Sequence, residues 1–315
     1  MKILKEFPEP SIDKLGWPWT EETPVSLYKN REDWPKISIV TPSYNQGYYI
    51  EKTIRSILLQ NYPNLEYIII DGGSSDYTVD IIKKYGYWIT YWTSEKDQGQ
   101  SDAINKGLKK CTGILFNWLN SDDFYEPAAL FNIASAYLNE KKPVIAGKSN
   151  ILSLAGNWIS STPVGTDFYM FSKARIDQPA TFFNLKVFRE LGPVSLNQNL
   201  VMDAELWFKF LLKYDSTYIT VTDHIIVNFQ EHPSSKTVNN RYKIVLGRAK
   251  LYTQILNAFK GRKNQFTDFT VQCKEERILE IKKGINDFIL YWLKNSIVSL
   301  KFHSFSKLLK FYLVK

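Results

Sequence analysis

The chain has 315 residues, 44% hydrophobic and 15% aromatic, with a formal net charge of +8 at pH 7. That length suits one large or two modest domains with a full core, and the charge suits an anionic substrate, a membrane surface or nucleic acid equally well. No run reaches about 18 apolar residues, so no transmembrane helix is expected. The opening "MKILKEFPEPSIDK" is too polar for a signal peptide. Cys111 and Cys273 lie too far apart for a metal-binding spacing and suit a reducing compartment.

Residues 1–35 carry "LGWPWTEETP" and "REDWP" with neither helical nor strand period, which predicts an irregular arm packed by its tryptophans. From Lys36 a rhythm begins. "ISIVT" (37–41), "LEYIIID" (65–71), "WITYW" (88–92) and "ILFNWL" (114–119) read as strands, and continuous apolar runs suit strands buried on both faces. Helical spacing fills the gaps over 48–60, 77–85 and 101–110. The β-α-β-α-β-α-β order predicts an α/β fold with a mostly parallel sheet flanked by helices. After Pro127 the pattern loosens. Residues 143–151, 156–162 and 180–184 read as strands, and 203–214 as an amphipathic helix with Leu206, Phe210 and Leu211 on one side. Residues 218–229 read as one or two strands with His224 as a satisfied structural histidine. Beyond about 240 the chain reads as helical and basic.

Each early strand ends in a polar cluster: Pro42-Ser43-Tyr44-Asn45, Asp71-Gly72-Gly73-Ser74, Glu95-Lys96-Asp97-Gln98-Gly99 and Asn120-Ser121-Asp122-Asp123. Ligands of open α/β sheets sit beyond the carboxyl ends of the strands, so the four clusters should line one edge. Asp122 and Asp123 suit a hard divalent cation, which typically takes one or two carboxylates plus substrate phosphates; alone, they also suit a turn before a helix. Asp71-Gly72 is also a common turn pair. Tyr44 suits stacking on a base or plain packing. No glycine-rich phosphate loop of the dinucleotide or P-loop type is present. Asp203 and Glu205 open a helix, where the macrodipole favours acids and where a general base could also stand. His232 and Lys236, in "QEHPSSKT", suit a metal or diphosphate contact or a surface turn.

"ISIVTPSYNQGYYIEKTIRSILLQNYPNLEYIIIDGGSSDYT", "SEKDQGQSDAINKGLKKCTGILFNWLNSDD" and "QPATFFNLKVFRELGPVSLNQNLVMDAELW" together resemble the family 2 glycosyltransferases of GT-A fold, over roughly 36–237. The resemblance implies a sugar-nucleotide donor, by default a UDP-sugar, a divalent metal (Mn²⁺ or Mg²⁺) and inversion at the anomeric carbon. It places Tyr44, Asn45, Asp71, Asp97, Asn105, Asn120 and Ser121 on the donor side; Lys236 is a candidate diphosphate contact by its charge alone. The resemblance makes Asp122 the metal-contacting acid, with Asp123 beside it; His232 is a candidate metal ligand from its own residue type alone. Asp203 becomes the catalytic base, Glu205 its support, and Gln178 a residue near the acceptor. Three positions depart from the family pattern: Asn120 replaces the first Asp of the D-x-D motif, Gly72 a second Asp after the second strand, and Met202 the Glu before the base.

The organisation expected is an arm (1–35), a glycosyltransferase domain (36–237) and a helical basic extension (238–315). The last 25 residues carry five lysines and no acid among alternating apolar residues. That pattern seeks a membrane surface or docks as an ordinary terminal helix. The resemblance to builders of bacterial surface glycans implies a glycan or lipid-linked acceptor and a cytoplasmic enzyme peripheral to the inner face of the plasma membrane. A sugar-nucleotide-binding protein without catalysis is the alternative that Asn120 keeps open. A nucleotidyltransferase would want a cation near the first strand, and "TPSYNQGYY" has none. No nucleic-acid partner is expected, because the lysines outside the tail are dispersed and the aromatics read as core.

Overall fold

A computed structural model of the chain describes residues 3–233 and 235–298. In chain order the elements begin β1 (Ile37–Ser43), α1 (Ile50–Leu58), β2 (Leu65–Asp71), α2 (Thr78–Tyr85), β3 (Tyr91–Ser94), α3 (Gln100–Lys110), β4 (Leu115–Trp118), β5 (Phe124–Tyr125) and α4 (Ala129–Glu140). There follow β6 (Val144–Leu152), β7 (Trp158–Ser161), α5 (Asp167–Lys173), β8 (Thr181–Asn184), α6 (Leu185–Glu190), α7 (Met202–Lys213) and β9 (Ile219–Gln230). The last are α8 (Lys236–Asn239), α9 (Arg241–Phe259), α10 (Thr267–Thr270) and α11 (Glu275–Val298). These fall into two compact units. One comprises 1–162, 177–199 and 219–232; the other comprises 163–176, 200–218 and the chain from Pro233 onward.

The first unit is built on one sheet in the order β3-β2-β1-β4-β8-β6-β9-β5, with β7 on β6. The four strands expected from the apolar runs are mutually parallel. Every residue of β1 and β4 is buried, which explains their lack of alternation. Beyond β4 the sheet is mixed: β8 runs antiparallel to both β4 and β6, and β9 parallel to β6. In-register pairing of Ser43 with Asp71, and of Val40 with Trp118, brings the carboxyl ends of β1, β2 and β4 to one edge.

Two expectations shift. β3 starts at Tyr91, later than the run 88–92 suggests. Trp88 is drawn against Phe7, ring centroids 4.7 Å apart, and Ile89 is buried, so these residues serve the core before the strand begins. His224, read as structural, lies with Asp223 and Ile225 on an exposed stretch of β9, next to irregularities in the β6–β9 register. Residues 219–230 form a single strand. The helices α4, α5 and α6 had no clear sequence signal.

Among the described residues, the irregular arm contains only short 3-10 turns at Ile3–Glu6 and Val25–Tyr28. Trp34 is buried, and Trp17 donates from Nε1 to the carbonyl of Tyr125 at 2.7 Å. A larger hold comes from Arg55 of α1, which is buried. Its guanidinium donates to the carbonyls of Pro18 (2.9 Å), Pro8 (3.0 Å) and Trp19 (2.7 Å) and to the Tyr85 hydroxyl (3.0 Å).

At the opposite, amino edge of the sheet, Glu66 of β2 gathers three segments. It accepts from the hydroxyls of Ser38 (2.5 Å) and Thr112 (2.7 Å) and from the Thr112 amide (2.7 Å), and it pairs with Lys36 at 2.7 Å. Burial works against its ionised form, but these donors win and hold the carboxyl down at about 2.

The second unit is helical. α7 is buried at Met202 and from Ala204 through Leu212, so the one-sided pattern expected for 203–214 gives way to burial nearly all round. Phe208 stacks on Tyr252 of α9 (4.8 Å) and on Phe171 of α5 (5.6 Å), and Tyr252 meets Phe288 of α11 edge-on. α11 crosses α5 closely: a Cβ at Gly284 would stand 2.5 Å from the Phe168 carbonyl oxygen. Arg277 of α11 forms a two-pronged pair with Asp167 at 2.8 and 2.9 Å and caps the end of α7 through the carbonyls of Leu211 and Tyr214. Among the described residues no helix is long and apolar enough to cross a membrane. Residues 299–315 of the lysine-bearing tail lie outside the described residues.

Glu66→Gln should lower stability by about 1–3 kcal/mol at pH 7, since it removes charge from a buried hydrogen-bonded acceptor. A depressed carboxyl pKa contributes stability that is present above the ordinary glutamate value and lost as pH falls toward about 2. The gap between variant and parent, measured by denaturant unfolding, should therefore narrow as pH is lowered; a pH-independent gap would refute this account of Glu66.

Candidate functional site

The loops after β1 and β2 are tied together before any ligand arrives. Asn45 adopts a left-handed backbone (φ 52°), which asparagine tolerates better than most residues. Its amide donates to Ser74 Oγ at 2.7 Å, and its Oδ1 accepts from the Ser75 amide at 2.9 Å. The Gln46 amide donates to Thr78 Oγ1 at 2.9 Å and the Gly47 amide to Asp76 Oδ2 at 3.0 Å. Tyr44 projects from this loop with its side chain 60% exposed, available as a stacking surface.

Asp71, at the end of β2, is fully buried. Its carboxylate accepts from the amides of Gly73 and Ser74 and from the hydroxyls of Ser74 (2.5 Å) and Ser94 (2.6 Å). It thus shapes the β2 loop and joins it to β3. Next to it, Gly72 gives Asp97 its place: a Cβ at position 72 would lie 2.8 Å from Asp97 Oδ2. The glycine that departs from the family pattern leaves room for one carboxylate where two would repel. Asp97 also accepts from the Gly99 amide at 2.7 Å, and Gly99 takes a left-handed φ of 104° at the entry to α3. Gln100, the first residue of α3, donates to Asn120 Oδ1 at 2.7 Å and so links this loop to the one after β4.

That loop, Asn120 to Asp123, is a tight turn closed by the Asp123 amide on the Asn120 carbonyl. Thr53 of α1 fastens it from below, donating to the carbonyls of Ser121 and Asp123. The two aspartates then part ways. Asp123 is buried; its Oδ1 accepts from the Gln230 amide at 3.1 Å and its Oδ2 faces Asn120 Nδ2. Burial, and then the neighbouring Asp122, push its carboxyl well above the usual range. Asp122 is half-buried and meets His232 instead, Oδ2 to Nε2 at 3.1 Å. Tyr49 stacks on the imidazole at 4.5 Å and holds its plane. The pair exists because β5, directly after Asp123, zips onto β9, Phe124 opposite Asn228 and Tyr125 opposite Val227. β9 then delivers His232 two residues beyond its end.

Of the expected metal ligands, Asp122 and His232 are brought together, and Asp123 is turned inward to Gln230 and Asn120. Among the described residues no group of three His, Cys, Asp or Glu side chains gathers as a metal site. One carboxylate and one imidazole nevertheless fit a divalent cation that completes its shell from substrate phosphates and water.

The remaining expected residues are placed as follows. Asn105 spends both ends of its amide on Val194, at 2.8 Å each, tying α3 to the loop after α6. Gln178 is buried and donates to Asn117 Oδ1 and the Trp118 carbonyl beneath β4. Ser121 is buried in the turn. In the second unit, Lys236 is exposed in the single turn α8. Asp203 stands in the first turn of α7, where burial raises its carboxyl and the Arg248 guanidinium and adjacent amides oppose that rise. Glu205, two residues on, is buried and pairs with Lys209 at 2.9 Å in the next turn. Sequence reasoning missed Thr53, Tyr49, Gln100 and Arg248. None belongs to a polar cluster at a strand end, and a helical sequence does not announce which of its residues face a loop.

Residues 38–189 match the model of glycosyl transferase family 2. An uncharacterized glycosyltransferase of Rickettsia typhi is 28% identical, over 85% of this chain and 92% of its own length. Another of Rickettsia prowazekii is 26% identical, over 81% of this chain and 78% of its own. Among solved structures, S. aureus TarS in complex with UDP-GlcNAc superposes with a TM-score of 0.55 at 19% identity, over 81% of this chain and 80% of that one. The mannosyltransferase PcManGT from Pyrobaculum calidifontis, in complex with GDP-Man and Mn²⁺, gives 0.54 at 14% identity, over 84% and 75%. The ordered loop clusters, the mixed sheet and these matches agree: residues 38–189 carry a family 2 glycosyltransferase domain, and the fold is GT-A.

Proposed function

We propose that the chain moves a sugar from a nucleoside-diphosphate donor, a UDP-sugar by default, to a hydroxyl of a glycan or lipid-linked acceptor, with inversion in a single displacement. The observation that carries this reading is the Asp122–His232 pair at the end of β4, beside loops organised by Asp71 and Asp97. The complexes of TarS with UDP-GlcNAc and of PcManGT with GDP-Man and Mn²⁺ support a nucleotide-sugar donor and a divalent cation.

Asp122 and His232 would hold the cation, and their mixed oxygen and nitrogen donors suit Mn²⁺ better than Mg²⁺, which prefers oxygen throughout. When bound, that ion supplies Lewis-acid charge to the donor diphosphate. The chain does the rest. Tyr44 offers a face for the base; Asn45, Asp71, Asp97, Asn120 and Ser121 shape and line the donor loops. Asp203 takes the proton from the acceptor hydroxyl as its oxygen attacks C1 opposite the leaving diphosphate. The raised carboxyl of Asp203 suits it to that task. Gln178 acts from beneath β4 by fixing the strand end, Glu205 through its pair with Lys209, and Asn105 by anchoring α3. The tail's five lysines support attachment to an anionic membrane surface at the cytoplasmic face, and surface-polysaccharide assembly as the role.

Release of nucleoside diphosphate from a panel of sugar nucleotides, with and without Mn²⁺ or Mg²⁺, should show metal-dependent turnover of one donor. Asp122→Ala should abolish it; metal dependence that survives this change would remove Asp122 from the site. Asp203→Asn should cut transfer by about 10²–10⁴-fold while donor binding persists. In the parent, activity should fall on the acid side at a pH above the ordinary aspartate range, because the base must be ionised and its pKa is raised. Removing 291–315 should move the protein from the membrane to the soluble fraction of a lysate; an unchanged distribution would sink the tail's role.

A further inference from the structure

Three arginines of this chain reach inward, and two of them are satisfied. Arg55 donates to three carbonyls and a hydroxyl, and Arg277 to a carboxylate and the end of α7. Arg248 differs. Its Nε is sealed from solvent and has no hydrogen-bond partner. A buried donor left unmade is costly and calls for a reason, often a ligand.

The placement of Arg248 is built into the packing of the second unit. A Cβ at the preceding Gly247 would come within 2.9 Å of the Val201 methyls, so α9 lies flush against the residue that leads into α7. Val245 and Ala249, on either side, are buried. Arg248 is thereby held beside the first turn of α7, where its charge meets that of Asp203, with Arg175 a second cation in reach. Val201 gives that turn no side-chain cap, and the amides of Asp203 and Ala204 reach the Asp203 carboxylate, the anion that now occupies the turn. The amino end of a helix carries partial positive charge and favours anions.

We propose that Arg248 and the first turn of α7 form a seat for an anionic group, a phosphate or carboxylate, that the acceptor carries close to the hydroxyl being glycosylated. The proposal rests on Asp203 as the base, because the reacting hydroxyl must come to that carboxylate and its neighbouring anion then meets the guanidinium. Nε and one Nη of a guanidinium match two oxygens of either group side by side. In the free chain Asp203 offsets the charge of Arg248; an incoming anion competes with it.

The test is calorimetric titration of the full chain, with EDTA to remove divalent ions, using glycerol phosphate and glucuronate as probes. One probe should bind the parent. Arg248→Met should weaken that binding by about tenfold or more, the loss of a two-pronged charged contact, and Asp203→Asn should tighten it. Binding of glycerol phosphate alone assigns a phosphate-bearing acceptor, and of glucuronate alone an acidic sugar. No binding of either probe, or equal binding by Arg248→Met, overturns the proposal. Should Arg248→Met fail to fold, Asp203→Asn decides: unchanged or weaker binding overturns it. If Asp203→Asn keeps full transfer activity while binding still depends on Arg248, the seat stands and the assignment of the base falls.

Discussion

The candidate site of the first unit depends on one short pairing. β5 is only Phe124 and Tyr125, yet its antiparallel contact with β9 joins stretches of chain more than a hundred positions apart. Antiparallel pairing fixes register, and register fixes what lies just beyond the paired residues. On one side that is Asp122, on the other Gln230 and then His232. The same contact gives Asp123 its buried acceptor role, through the Gln230 amide, and so separates the chemistry of two adjacent aspartates. A slip of one residue would turn Asp122 and the strand side chains to opposite faces and take the imidazole away.

Burial assigns the acids of this chain to different work. Glu66, at the amino edge, is surrounded by donors and kept ionised, which suits a structural knot. Asp71 is equally buried but spends its oxygens on the turn that follows β2. Asp123 lacks enough donors to offset its burial and its charged neighbour. Asp122 alone of the β4 pair faces a titratable partner and keeps access to solvent. These roles follow from counting donors around each carboxylate, since an acceptor saturated by amides and hydroxyls has little left for a ligand.

The second unit shows the same division. α7 is packed by rings from α5, α9 and α11, and its far end is capped by Arg277. Glu205 is absorbed into that packing by Lys209. Asp203 stays at the amino end, where first-turn amides and the Arg248 guanidinium oppose the rise that burial gives its carboxyl. A carboxylate raised by burial and partly restrained by a guanidinium suits the base role proposed for Asp203.

Much of this was legible in the chain itself. Continuous apolar runs identified β1, β2 and β4, because strands buried on both faces need no alternation. The polar residues ending those runs located the loop edge, because parallel strands linked by helices present their carboxyl ends together. The ordered motifs identified the family. The sequence also named Asp122, His232 and Asp203, though not their partners. Local patterns failed where distant packing decides the outcome: Trp88 and Ile89 were taken by the core before β3 could begin, His224 fell on an exposed stretch, and α7 was buried nearly all round. Asn105 and Gln178, polar and near the motifs, proved to brace strands and helices. Periodicity and composition thus determined the parallel strands, the helices between them and which edge gathers the polar loops. Only the tertiary structure decided which aspartate faces the imidazole, which is sealed against an amide, and which arginine is left with a donor unspent, because those depend on contacts between residues far apart in the chain.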